Sequence, residues 1–247
     1  MKENLLGENK RKIYYYLEDE NNNKYFKKQF KSESNTERLK NEVKVLNEFS
    51  NYNCFPKIIN YSLEEKYIVF DFIEGNNLNN SLFNIKNTIE IVSKIINILE
   101  VIHSKGYIFG DLKPSNVIIS DKLTLVDYES TTKIGESLNY ASGIYCSIYQ
   151  KEDNKAIYGF DFYSLGLLII SLLEGEKVLR KYVENDKLYN LDNNPSMFLL
   201  PKELQNILKK LLAYNPEDNY NDIKDLKRDI NNVKKIINEK HNIFDKN

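Results

Sequence analysis

The sequence has almost no cysteine, no long hydrophobic run, no excess of either charge and no internal repeat. Its two cysteines, Cys54 and Cys146, lie far apart and form no C-x-x-C motif. They give no support to a disulfide-built scaffold and favour a reducing compartment. The longest apolar stretch, FYSLGLLIISLL (Phe162 to Leu173), is too short to span a bilayer and predicts a buried helix. The start, MKENLLGENKRK, has no apolar h-region and does not read as a signal peptide. Lys and Arg number 35 against 36 Asp and Glu, a net charge of -1, so there is no general attraction to nucleic acid or an anionic membrane. Asn-rich patches such as Asn21 to Asn23 are turn material rather than a repeat. The expectation is a cytoplasmic protein with neither a nucleic-acid nor a membrane partner.

What is present suits an ordinary globular chain. Hydrophobic residues make up 41% and charged residues 29% of 247, enough for one large domain or two packed lobes. KIYYYLE and KYFKKQF flank a DENNN turn and predict a β-hairpin. TERLKNEVKVLNEF carries Leu39, Val43, Leu46 and Phe49 at helical spacing, and KYIVFDFIEG reads as a strand ending at Gly75. Beyond it the pattern turns helical. Val92, Ile95, Ile96, Leu99 and Ile102 form an apolar stripe, with Gly106 placed to end that helix. Further helices are expected at Phe162 to Leu173, in LPKELQNILKKLLAY, and at Ile223 to Ile237. The class is therefore α+β, with a small β-rich lobe (1–73), a larger helical lobe (74–247) and a cleft expected between them.

GYIFGDLKPSNVII, Gly106 to Ile119, reads as a short strand, a polar turn and a second strand, a hairpin in outline. A plain hairpin turn would be Asn-Gly or Asp-Gly. Here Asp111, Lys113 and Asn116 instead place a base, a cation and an amide oxygen on one loop, a set that suits phosphoryl transfer. In KYFKKQFK the period-two alternation puts Phe26, Lys28 and Phe30 on one face and Tyr25, Lys27, Gln29 and Lys31 on the other, mostly polar one. Lys28 is thus the lysine that faces inward.

GDLKPSN, with four residues between Asp111 and Asn116, and LVDYES, with Asp127 after the next strand, resemble the protein-kinase catalytic loop H-R-D-x-x-x-x-N followed by D-F-G. The resemblance implies that Asp111 accepts the substrate hydroxyl proton, that Lys113 neutralises the transferred phosphoryl group, and that Asn116 and Asp127 hold Mg²⁺. Lys28 resembles the lysine that grips the ATP α/β-phosphates. Glu42, in NEVKVL, resembles its partner on helix C. IVFDFIEG resembles the strand entering a kinase hinge, with Phe70 in the gatekeeper slot and the backbone of Asp71, Phe72 and Ile73 facing adenine. DFYSLG resembles the start of the buried F helix, so Asp161 would anchor the catalytic-loop backbone. The resemblance covers nearly the whole chain as one domain, 1–247.

The departures are specific. In LGENKRKIY, Gly7 remains from the glycine-rich loop, while Asn9 and Lys12 fill the next glycine positions. A Cβ there keeps the backbone further from the phosphates. Lys10, Arg11 and Lys12 make either a compensating cationic loop or a solvated basic turn. Phe109-Gly110 stands for H-R, Asp127-Tyr128-Glu129 for D-F-G, and Gly143-Ile144 for the Gly-Thr of the substrate-positioning loop. Phe26 fills a slot that is usually Ala and could crowd the purine. In NPEDNY, Asn219 takes the arginine position of D-P-x-x-R-P, and CSIYQ offers no aligned glutamate unless Glu152 slips into place.

The function so implied is an ATP- and Mg²⁺-dependent phosphotransferase acting on a Ser or Thr hydroxyl of a protein or peptide. Two rivals remain: a pseudokinase that binds or scaffolds, favoured by the altered glycine loop, Phe26 and Glu129, and a small-molecule kinase. FGDLKPSN with DYES is also similar to the kinase domains of class III and IV lanthipeptide synthetases. That likeness implies a precursor-peptide substrate and separate lyase or cyclase partners. Gly before the Asp occurs in aminoglycoside and choline kinases too, but those typically carry His where Lys113 stands.

Overall fold

The predicted hairpin is present, and it organises the first of two units in the computed structural model, which describes residues 2–138, 143–151, 155–184 and 195–244. In chain order the strands are β1 (Lys2–Glu8), β2 (Lys12–Glu18), β3 (Lys24–Phe30), β4 (Ile58–Ser62), β5 (Tyr67–Asp71), β6 (Asn76–Asn77), β7 (Tyr107–Ile108), β8 (Val117–Ile119), β9 (Leu123–Leu125) and β10 (Thr132–Lys133). The helices are α1 (Thr36–Glu48), α2 (Ile85–Ser104), α3 (Gly159–Glu174), α4 (Glu176–Glu184), α5 (Lys202–Leu211) and α6 (Ile223–Phe244).

The first unit comprises Met1–Asn77 and Asn116–Thr131. Its main sheet is antiparallel in the order β1-β2-β3-β5-β4. The β2–β3 turn closes because the Asp19 carboxylate accepts from the backbone N–H of Asn21 and of Asn23, each at 2.9 Å. Asn22 takes a positive φ of 62° there. The α1 helix buries Leu39, Val43, Val45 and Leu46, and Glu42 goes in with them. Two strands escape the sequence pattern. Both β1 and β4 are edge strands with mostly exposed side chains, so neither shows the alternation that marks a half-buried strand. The strand expected to reach Gly75 stops at Asp71. The chain then enters the small sheet β6-β8-β9, and Gly75, at φ +149°, approaches β8 so closely that a Cβ would lie 2.5 Å from the Ile119 carbonyl oxygen.

The second unit comprises Leu78–Ser115 and Thr132–Asn247. The α2 helix starts where the Asn84 side chain accepts from the Asn87 N–H at 2.9 Å, and it ends at Gly106, whose φ is +74°. It packs against α3 and α6. The α3 helix is buried on every side, as its continuous apolar run requires. The α4 helix was not legible from the sequence: only Leu179 of it is buried.

One expectation is corrected here. The two short strands of GYIFGDLKPSNVII do not pair with each other. Instead β7 pairs with β10, while β8 lies between β6 and β9. Gly110 at φ +79° and the 3₁₀ turn Pro114–Asn116 make the stretch between them too long and irregular for a hairpin turn. Among the described residues no helix is long and apolar enough to cross a membrane.

Candidate active site

The first unit gathers the charged residues singled out on β3, on α1 and after β9. Lys28 lies on the buried face of β3, and its Nζ donates to both oxygens of Glu42, at 2.9 and 2.8 Å, and to Asp127 Oδ1 at 2.8 Å. Lys28 and Glu42 are only 4% and 1% exposed. Burial alone would lower the pKa of the Lys28 ammonium, but Asp127, Glu42 and Glu129 outweigh it and hold that pKa above the usual lysine range. Burial pushes the Glu42 carboxyl upward, against the pull of Lys28. A lysine so held is charged at every ordinary pH and presents a fixed cation to an anionic ligand.

Asp127 reaches Lys28 because its own backbone is left-handed, with φ 72° and ψ 69°. A non-glycine residue in that region is uncommon and tends to mark a functional turn. The turn is pinned from α1. Glu42 Oε1 accepts the Tyr128 N–H at 3.1 Å, and the Asn41 amide donates to the carbonyls of Glu129 and Thr131 at 3.0 and 2.9 Å. Asn116 is buried, and its carbonyl accepts the Val126 N–H at 2.9 Å, joining the start of β8 to the approach to Asp127. Asp127 and Asn116 supply a carboxylate and an amide oxygen, hard donors that suit Mg²⁺. The Asp127 side chain keeps 22% exposure, whereas its two lysine partners keep 5% each.

Gly7 sits in β1, opposite Tyr14 of β2, just past an irregularity in the ladder. Phe70 is buried in β5 beside Phe26, and the Phe26 ring stacks between Tyr14 and Phe70 at centroid distances of 5.9 and 6.5 Å. Asp71 ends β5 with its N–H bonded to the Lys57 carbonyl, and Ile73 follows in irregular chain, half-buried.

Lys12 and Glu129 form a contact the sequence did not announce. Lys12 is buried and bonded to Glu129 Oε1 at 2.5 Å, so it is no solvated turn residue, whereas Lys10 and Arg11 are exposed. The signal was available in the hairpin. Direct β2–β3 partners, Lys12 with Phe30 and Tyr14 with Lys28, share a face, which puts both lysines on the same side of the sheet.

In the second unit Lys113 Nζ donates to Asp111 Oδ2 at 2.6 Å. The loop carrying this pair hangs on Asp161 at the start of α3. Asp161 Oδ2 accepts the Phe109 N–H at 2.8 Å, Oδ1 accepts the Gly110 N–H at 2.9 Å, and His103 Nε2 lies 2.8 Å from Oδ2. His103, on α2, was not singled out from sequence. It shows how a buried carboxylate is kept satisfied on three sides. The position where the resemblance predicts a buried arginine is also accounted for. Asn219 donates to the Leu211 carbonyl at 2.8 Å and to the Tyr149 hydroxyl at 3.3 Å, and its oxygen accepts the Tyr220 N–H at 2.7 Å. The site therefore needs no counter-charge. Glu152, the alternative partner, lies outside the described residues.

These elements, in this order, define a family. Residues 7–229 match the protein kinase domain, and the chain belongs to that family. It is similar to the probable serine/threonine-protein kinase PknB of Lactococcus lactis, with 26% identity over 189 residues, covering 67% of this chain and 30% of the relative. It is also similar to the probable serine/threonine-protein kinase CPE1738 of Clostridium perfringens, at 24% identity over 87% of this chain and 34% of the relative. The probable serine/threonine-protein kinase YbdM of Bacillus subtilis is 24% identical over 81% of this chain and 73% of its own length. The chain thus spans about a third of the length of PknB and CPE1738.

Proposed function

We propose that this chain transfers the γ-phosphoryl group of ATP to a serine or threonine hydroxyl of a protein or peptide. The observation that carries the reading is Lys28, buried and bridging Glu42 on α1 to Asp127 beside it. Stability alone gives weak reason for such a cluster, since replacing buried charges by apolar residues is often neutral or stabilising. Its use is a fixed cation for the α/β-phosphates next to a carboxylate for the metal. Mg²⁺, when bound, neutralises charge on the phosphate oxygens, and Asp127 and Asn116 are the residues that would hold it. The backbone of Asp71 and Ile73 serves adenine, and Gly7 lets β1 approach the nucleotide.

Asp111 takes the proton from the attacking hydroxyl. Its Oδ2 is already aligned by Lys113, whose ammonium also offsets charge on the group in transit. Asp161 fixes the backbone just before Asp111, and such positioning accounts for much of the rate gain in phosphoryl transfer. All five residues central to the chemistry are present (Lys28, Glu42, Asp111, Asn116 and Asp127), which favours an active enzyme over a scaffold.

Lys113-Pro114 and the DFYSLG helix favour a protein substrate over a small alcohol. If the substrate is a precursor peptide, a separate lyase or cyclase completes the pathway. Incubation with radiolabelled ATP, casein, a basic protein and a panel of small alcohols tests the reading. Label in protein serine or threonine supports it. Label only in small alcohols, or in nothing despite nucleotide binding, overturns it.

A further inference from the structure

Two positions that the kinase family keeps as glycine carry opposite charges here, one at the start of β2 and one in the turn after Asp127. They meet. Lys12 Nζ lies 2.5 Å from Glu129 Oε1 and 3.3 and 3.4 Å from the two Asp127 oxygens. Lys12 is 4% exposed and Glu129 5%, and Arg38 Nη1 stands 3.9 Å from the same Glu129 oxygen. Each lysine has a carboxylate of its own, Glu42 for Lys28 and Glu129 for Lys12, and both reach the shared Asp127.

A pair that only stapled the turn to β2 would be expected to satisfy its polar atoms fully. This one does not. An ammonium has three protons, and the single short bond of Lys12 goes to Glu129, while its contacts to Asp127 are long. Glu129 Oε2 is buried with no hydrogen-bond partner among the described residues. Lys12 thus bonds Glu129 closely and aims its remaining, longer bonds at the carboxylate read as the metal ligand. Oxygens engaged by a cation hold their lysines less, and the protons released suit a phosphate.

We propose that Lys12 is a second nucleotide-directed cation beside Lys28, held at Asp127 by Glu129. Its side-chain ammonium contributes the phosphate contact that close-approaching glycine backbone provides in other glycine-rich loops. The proposal rests on the ATP-binding reading above and adds a residue to it. Glu129 is a positioning residue: it touches Lys12 rather than the nucleotide.

The test measures binding and stability on the full chain for wild type, Lys12→Met, Glu129→Gln and the double variant. MgATP and adenosine affinities are taken by calorimetry, and unfolding is followed without nucleotide. Each single variant removes the nearest partner of a buried charge and lowers the melting temperature, while the double variant recovers part of the loss. Lys12→Met and the double variant should bind MgATP about tenfold more weakly, the scale of one charge-assisted phosphate contact, and adenosine about as wild type does. A double variant with recovered stability and wild-type MgATP affinity would overturn the proposal and leave the pair a staple. An equal loss for MgATP and adenosine would overturn it too, by showing a general distortion of the site. Wild-type protein that fails to bind MgATP removes the kinase reading itself. Intact wild-type binding that Asp127→Asn abolishes and Lys12→Met leaves unchanged removes only the role given to Lys12.

Discussion

Replacing Asp161 by asparagine removes a charge and turns one carboxylate oxygen into an NH₂ donor at a site where every neighbour is also a donor. The side chain is buried and receives the Phe109 and Gly110 amides at 2.8 and 2.9 Å, with His103 at 2.8 Å. Asparagine keeps one acceptor. Its cheaper orientation holds the oxygen toward Phe109 and His103 and faces its NH₂ toward the Gly110 N–H, which is then orphaned. An orphaned buried amide costs about 1–3 kcal/mol, and the two surviving bonds, no longer to a charged group, weaken by about 1 kcal/mol each. The local loss is therefore about 3–5 kcal/mol. Hydrogen exchange reads it directly. Protection of the Phe109 and Gly110 amides should fall by about a hundredfold to a thousandfold or more, at ~1.4 kcal/mol per tenfold. Turnover should fall with it, because the same two amides set the direction of the chain into Asp111. Retained protection at both amides would refute the view that Asp161 holds this loop.

Three further outcomes are expected. Asp111→Asn should spare MgATP binding and cut turnover by ~10²-fold or more, the scale of a lost general base, whereas Asp127→Asn should weaken MgATP binding itself; single-turnover kinetics with calorimetry separates the two. Lys28→Met and Glu42→Gln should each impair turnover, with the double variant little worse than the worse single, since the two act as one unit; additive losses would point to another partner. Phosphatase-treated protein, and variants with Ser130, Thr131, Thr132, Ser137 and Ser142 changed to Ala, should keep turnover. The turn after Asp127 is already held by Glu42, Asn41 and Lys12 without a phosphate, Ser130 and Thr131 are buried, and Gly110 replaces the arginine that would receive one. A steep loss restored by Glu at one site would show a charge switch instead; Ser142 lies outside the described residues.

The elements that could be read from sequence were those whose burial is one-sided and periodic. The stripe on α2, the continuous run in α3 and the alternation in β3 each reflect packing that dictates residue type locally. The edge strands β1 and β4 and the short α4 bury little of themselves, so their positions are set by backbone pairing and chain connection, which leave no periodic trace. The same distinction explains the false hairpin. Two apolar triplets around a polar turn satisfy a local pattern, but β7 and β8 find their partners elsewhere, and only distant segments carry that information. In the site, Lys28 was identified by its face. Glu42 was identified by resemblance and turned out to be the one carboxylate α1 buries. His103 and Asn41 were invisible because a lone histidine or asparagine on a helix has no pattern to betray it.

The departures from the family pattern bear on whether this chain has decayed, and their chemistry argues against it. Taken singly, Lys12 and Glu129 in slots where the family pattern has glycine and Asn219 in an arginine slot each look like a loss. A lone buried lysine or glutamate would carry a desolvation cost of several kcal/mol with nothing to offset it. Instead Lys12 and Glu129 neutralise one another across two segments far apart in the chain. At Asn219 the change runs the other way: the charge is gone, and neutral partners, the Tyr149 hydroxyl and the Leu211 carbonyl, take up the amide. One site gains two charges of opposite sign, the other has none to balance, and both stay electrostatically closed. Drift after loss of function removes the need for phosphate binding, and with it any reason to keep a second buried cation beside Asp127. Lys12 held there, while Lys28, Glu42 and Asp127 stay bonded as a set, is the charge distribution that the proposed nucleotide-binding role calls for.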